Sequence, residues 1–132
     1  MAKPDDKHGQ PVRWLPAPQP HDFPAAASYL SLIADAATVD QLIRRLQAGT
    51  IEHVKAKDLL RAAQLRLLPA DNAHVASDLA KIAAGEPLSP ILLVRGDLRH
   101  GVPLQIADGY HRVCACYLTD ENSDVPAVVV DP

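Results

Sequence analysis

The sequence predicts a mixed α+β (α/β) domain: a small sheet flanked by helices, with an N-terminal helical hairpin. Three observations predict it. Short unbroken apolar runs at residues 90–94 and 125–130 read as buried strands. Apolar side chains recur at helical spacing over residues 24–48, 57–65 and 73–84. The two kinds of segment are interleaved along the chain, which favours a sheet with helices packed on it. The length of 132 residues suits one domain. We take that domain as residues 24–132, with the helical extension 24–49 included, after a flexible proline-rich tail at residues 1–23.

The elements follow in order. Six of the twelve prolines fall within the first 24 residues, and each removes a backbone donor. Regular structure is therefore not expected before His21; Trp14 and Leu15 are the expected anchors of this tail. From Pro24, Ala25 to Ala27, Leu30 and Ile33 suggest a helix ending near Ala36. Thr38 and Gln41 have the spacing of a capping box for a second helix, which Gly49 ends by adopting a left-handed conformation. Residues 50–55 alternate and read as a strand, and residues 57–65 as a helix. Asp71 or Asn72 caps a helix at 73–84, closed by Gly85. A strand at 90–94, a polar connector at 95–101 and a strand at 103–107 come next. Asp108-Gly109 then turns the chain into a helix at 110–119, and residues 125–130 form the last strand.

Composition narrows the function. The net charge is −3, and residues 101–132 hold Arg112 alone against five acidic residues, which argues against nucleic acid as a partner. No apolar run approaches the ~20 residues of a membrane span, and no hydrophobic stretch follows Met1-Ala2-Lys3 as in a signal peptide. A cytoplasmic location is expected. Cys114 and Cys116 stand too close together for an unstrained disulfide and read as reduced thiols. In a helix they point to nearly opposite faces, so they are expected in the core rather than on one metal.

Chemistry concentrates in the segment from Ile106 to Tyr117. A strand runs into a glycine that opens a helix, and helix N-termini present free amides and partial positive charge to anions. Gly109 permits close backbone approach, and Arg112 offers a permanently charged fork suited to phosphate. His111 can donate to an oxyanion or relay a proton. Asp108 fits as a Mg²⁺ ligand or as a base. The plainer alternative reads Asp108 as a helix cap and Arg112 as a surface partner of Asp120 or Glu121.

The run Pro90-Ile-Leu-Leu-Val, the motif Leu104-Gln-Ile-Ala-Asp-Gly-Tyr-His-Arg-Val-Cys-Ala and the closing Val125-Pro-Ala-Val-Val-Val together resemble the ParB/sulfiredoxin superfamily. The resemblance covers roughly residues 53–130. It implies a ParB/sulfiredoxin-like sheet and a pocket for a nucleotide (ATP, ADP or CTP) with Mg²⁺ or another phosphorylated ligand. Gly109, Tyr110, His111 and Arg112 would then be phosphate contacts, with Asp108 as metal ligand or base. Asp108-Gly-Tyr-His-Arg is nearest to the kinase-like version of the motif, in which an acidic catalytic residue sits on the first matched strand; Glu52 is the candidate here. Asn72 and His74 fall near a ligand-contact segment of ParB-type members. Tyr110 stands where sulfiredoxins place their catalytic cysteine, so sulfiredoxin chemistry is not expected. Partition proteins also need a DNA-binding and a dimerisation region beyond this domain, so a partition protein acting alone is not expected.

The leading expectation is thus a nucleotide- or phosphate-binding protein, with NTP hydrolysis or phosphoryl transfer as its reaction. Two alternatives stand beside it. One is a non-enzymatic interaction module docking a protein through helices 24–49, and the other a DNA-binding or nuclease accessory protein.

Overall fold

The computed structural model describes residues 11–132. Its element order is α1 (Asp22–Leu30), α2 (Ala36–Ala48), β1 (Ile51–Lys55), α3 (Ala56–Ala63), α4 (Ala73–Ala83), β2 (Ile91–Val94), β3 (Gln105–Asp108), α5 (Tyr110–Thr119) and β4 (Asp124–Val130). The strands form one sheet in the order β1-β4-β2-β3. β4 pairs parallel with β2, and the two outer pairings are antiparallel. The class is therefore mixed α+β, with helices flanking a small mixed sheet.

The two central strands are the two continuous apolar runs of the sequence, because both of their faces are covered. Alternation sorts their side chains. Ile91, Leu93, Val125 and Ala127 face one core with α3, α4 and α5. Leu92, Val94, Val128 and Val130 face a second core with α1 and α2. The helical hairpin is thus a full layer of the domain. Its apolar side chains Ala26, Leu30, Val39, Leu42 and Leu46 are buried on the sheet. Of the expected docking surface, Leu32 and Ile33 remain exposed. Among the described residues, no helix is long and apolar enough to cross a membrane.

Helix boundaries differ from the expected ones for local reasons. α1 begins at Asp22, so Pro24 lies inside its first turn, where a missing N–H leaves no helical bond unmade. α2 begins a turn early, at Ala36. Its cap is Asp35, whose side chain accepts from the Thr38 amide at 2.8 Å, so the expected Thr38–Gln41 capping box does not form. Gly49 ends α2 in an extended conformation (φ −75°), not the left-handed one expected. Glycine is needed there because a β-carbon would overlap the Val128 side chain. Asn72 caps α4 as expected, accepting from the amides of His74 and Val75 at 3.0 and 3.2 Å. Replacing Asn72 by alanine is expected to lower stability by about 0.5–2 kcal/mol, read as a lower urea midpoint with an unchanged slope.

Of the expected tail, residues 1–10 lie outside the described residues. The remainder is fastened at the expected anchors. Trp14 bridges to Leu88 as a parallel pair, flanked by the bonds Leu88 N–H to Arg13 and Leu15 N–H to Leu88. The chain then passes Gln19 and His21 into α1, which brings Asp22 toward the N-terminus of α5.

Candidate functional site

α5 starts where the sequence places it, at Tyr110, directly after β3. Between them Gly109 holds φ +122°, a conformation that side-chain-bearing residues rarely adopt. The space beside it is filled from within the protein. A β-carbon would stand in the Ile91 side chain, 2.8 Å from its Cβ, and 3.2 Å from one Arg112 nitrogen. Glycine therefore serves the turn and the packing of β2 against it. Gly109 also borders the cleft beside the start of α5. No side chain caps the N-terminus of α5.

Asp108 does not cap that helix, and Arg112 does not pair with Asp120 or Glu121. They meet each other: one guanidinium nitrogen of Arg112 donates to the Asp108 carboxylate at 2.7 Å. A second donates to the Ser89 carbonyl at 2.9 Å and also to the Ser89 hydroxyl, and lies 4.0 Å from the Asp22 carboxylate. The fork expected to receive a phosphate is thus largely engaged within the protein. Asp22 is almost fully buried (4% exposed) and also accepts from the Gln19 amide at 2.8 Å. Burial lifts the Asp108 carboxyl above the ordinary carboxylate range against the opposing pull of Arg112, and the neighbouring Asp22 lifts it further.

Beside this knot lies an open cleft of about 420 Å³. α4 contributes His74, Ser77, Asp78 and Lys81 to it, and α5 contributes His111 and one edge of Arg112. The approach to α1 contributes Gln19, His21 and Asp22. The four α4 residues are spaced i, i+3, i+4, i+7 and so share one helix face. The His74 and His111 rings sit 4.7 Å apart between centroids. Burial, and then the positive charge of His74, lower the pKa of His111. Burial raises that of Asp78, against Arg112 and Lys81. The cleft can therefore present a neutral imidazole, an ammonium and a helix start to one ligand.

The other expected site residues lie elsewhere. Tyr110 turns its hydroxyl to the Arg66 carbonyl at 2.6 Å and lines a second cavity with Tyr29, Leu65 and Leu104. Glu52 is exposed on β1, at the opposite edge of the sheet from β3, paired in register with Ala127, and does not line the cleft. Among the described residues, no group of three or more His, Cys, Asp or Glu side chains could hold a metal ion. With Asp108 held by Arg112, these residues do not fit a protein-held Mg²⁺. Cys114 and Cys116 are buried free thiols, and burial pushes Cys116 up to about 12.

Sequence reasoning missed Asp22, Ser89, Asp78 and Lys81. The polar stripe of α4 was a usable signal, because four polar residues at helical spacing mark a face directed away from the core. Nothing local marked Asp22 or Ser89. No family model matches the chain, and neither a curated protein nor a solved structure matches it.

Proposed function

We propose that the cleft between α1, α4 and α5 binds the phosphate groups of a small molecule, with nucleotides as the class that the ParB/sulfiredoxin-like motif implies. One observation carries this reading: Lys81, His74, His111 and the uncapped start of α5 border a single open cavity. Its volume of about 420 Å³ lies within the ~300–1,000 Å³ of small-molecule sites. The chain order also supports it, since β2, β3, the Asp108–Arg112 turn, α5 and β4 occur in the order of the resemblance.

The residues divide the work. Arg112 is a positioning residue that ties α5 to Asp108 and Ser89 and so aims the helix start. Lys81 supplies a mobile charge, and the α5 amides supply donors for phosphate oxygens. His111 donates or accepts a proton beside them. The reading is binding rather than phosphoryl transfer, because Asp108, although it borders the cleft, is bonded to Arg112, and Glu52 is remote.

A thermal-shift screen of ATP, ADP, CTP and GTP, each with and without Mg²⁺, tests it. A ligand at 100 times its Kd is expected to add about 2.7 kcal/mol of stability. Lys81→Ala, at an exposed position, is expected to leave the unliganded midpoint unchanged and to remove most of the shift. Absence of any shift at millimolar nucleotide would overturn the reading.

A further inference from the structure

The cleft has an unusual charge balance for an anion site. Among the described residues, its walls carry three carboxylates, Asp22, Asp78 and Asp108, against two fixed cations, Lys81 and Arg112. With neutral imidazoles the lining is net negative. Arg112 is already shared between Asp108 and Ser89, which leaves Lys81 as the less engaged cation. A doubly charged oxyanion entering this cleft adds to an existing excess of negative charge, and unlike partners are needed to offset it.

The side chains that can change charge to meet it are histidines. His74 on α4 and His111 on α5 border the cleft from two sides, with ring centroids 4.7 Å apart. At that separation two imidazolium ions repel each other. An oxyanion between or beside the rings reverses the balance and favours the protonated form of both. The groups facing them are Asp78 and Lys81 from α4, Arg112 and Tyr110 from α5, Asp108 from β3, and His21 with Asp22 from the start of α1.

We propose that His74 and His111 form a proton-coupled oxyanion subsite, in which a doubly charged oxyanion binds together with a proton that settles on this pair of rings. The proposal rests on the reading of the cleft as a phosphate site and adds a pH dependence to it. Burial, and then the proximity of His74, hold His111 below the usual histidine range, so the proton it gains on binding has to be drawn in by the anion. Binding then weakens as pH rises, by linkage between ligand and proton.

Sulfate is the probe of choice because its charge stays constant between pH 6 and 8. Calorimetric titration of the full chain in two buffers of different ionisation enthalpy reads the protons taken up. We expect about one proton per sulfate at pH 7.5, and affinity falling about tenfold per pH unit above pH 7. His74→Asn and His111→Asn are each expected to halve the uptake at least, and the double variant to abolish it. Both positions lie at the surface of the cleft, and an unchanged thermal midpoint confirms that the variants fold. Sulfate binding without proton uptake, or uptake that persists in the double variant, would overturn the proposal and leave the phosphate reading standing. No sulfate or nucleotide binding at any pH would overturn both.

Discussion

Replacing Arg112 by alanine is expected to lower the folding free energy by about 3–5 kcal/mol, the usual result of removing one partner from a buried ion pair. Native domains are stable by only ~5–15 kcal/mol, so the variant would stand near the limit of folding. The size follows from what the guanidinium joins. It bonds Asp108 and Ser89 and lies beside Asp22, and these belong to β3, the segment before β2, and α1. Its loss leaves the buried Asp22 and the half-buried Asp108 carboxylates close together with no cation between them. Asp108→Asn is expected to cost less, because Arg112 keeps Ser89 and Asp22. Chemical denaturation of both variants gives the comparison. An Arg112→Ala cost near zero would remove the knot from the account.

The same knot sets a pH dependence. Asp108 and Asp78 are both lifted above the ordinary carboxylate range, chiefly by burial. Each therefore binds a proton more readily in the folded chain than in the unfolded one. Their contribution to stability is full below the unfolded value of about 4 and is lost as pH rises through the raised folded values. The penalty of Arg112→Ala should accordingly shrink as pH falls, since a protonated Asp108 no longer needs a cation.

Gly109→Ala is expected to cost about 2–6 kcal/mol, from two effects that act at one atom. Backbone strain at a positive φ contributes about 1–3 kcal/mol, and overpacking against Ile91 contributes about 1–3 kcal/mol. The β-carbon would also crowd the Arg112 nitrogen, so the ion pair and the glycine are coupled. Combining Gly109→Ala with Ile91→Ala separates the effects. The double variant should lose less than the sum of the singles, because the second change removes the overlap with the Ile91 Cγ2, while the contact with the retained β-carbon and the strained backbone remain. Strictly additive losses would mean that the Ile91 contact is not what excludes a side chain at this position.

Both predictions concern residues that the sequence marked. Gly109 and Arg112 were read as ligand contacts; both border the cleft, and the fold also uses one as a packing hole and the other as a strut. The difference comes from Ser89, Ile91 and Asp22, which are distant in sequence and meet the turn only after the sheet has formed. Local physics carried further elsewhere. The strand runs at 90–94 and 125–130 and the helix 110–119 were legible because a doubly covered strand must be continuously apolar, and a glycine after a strand must reorient the chain. Boundaries failed where two local signals competed. Ala36 and Ala37 extend α2 toward its N-terminus, so Asp35 displaces Thr38 as cap. Leu32 and Ile33 looked like a helical continuation, but the chain must turn before Asp35 and leaves both exposed. Pro103 delays β3, and Leu104 gives its amide to the Ala62 carbonyl rather than to the sheet.

The polar wall of α4 is the instructive omission. His74, Ser77, Asp78 and Lys81 lie 27 to 34 residues before Asp108, and no spacing rule connects them to the motif there. Only the packing of α4 against α5, through Val75, Ile82, Val113 and Cys116, brings them to one cleft. A site read from one motif therefore missed its cation, Lys81.

Heteronuclear NMR of the isotope-labelled chain, titrated with ATP, tests the account at its centre. The account predicts saturable shifts of the Tyr110, His111 and Arg112 backbone amides together with His74 and Lys81, while Glu52 and Tyr29 stay still. Shifts that spare residues 110–112, or that gather around Glu52 or the second cavity instead, would contradict it.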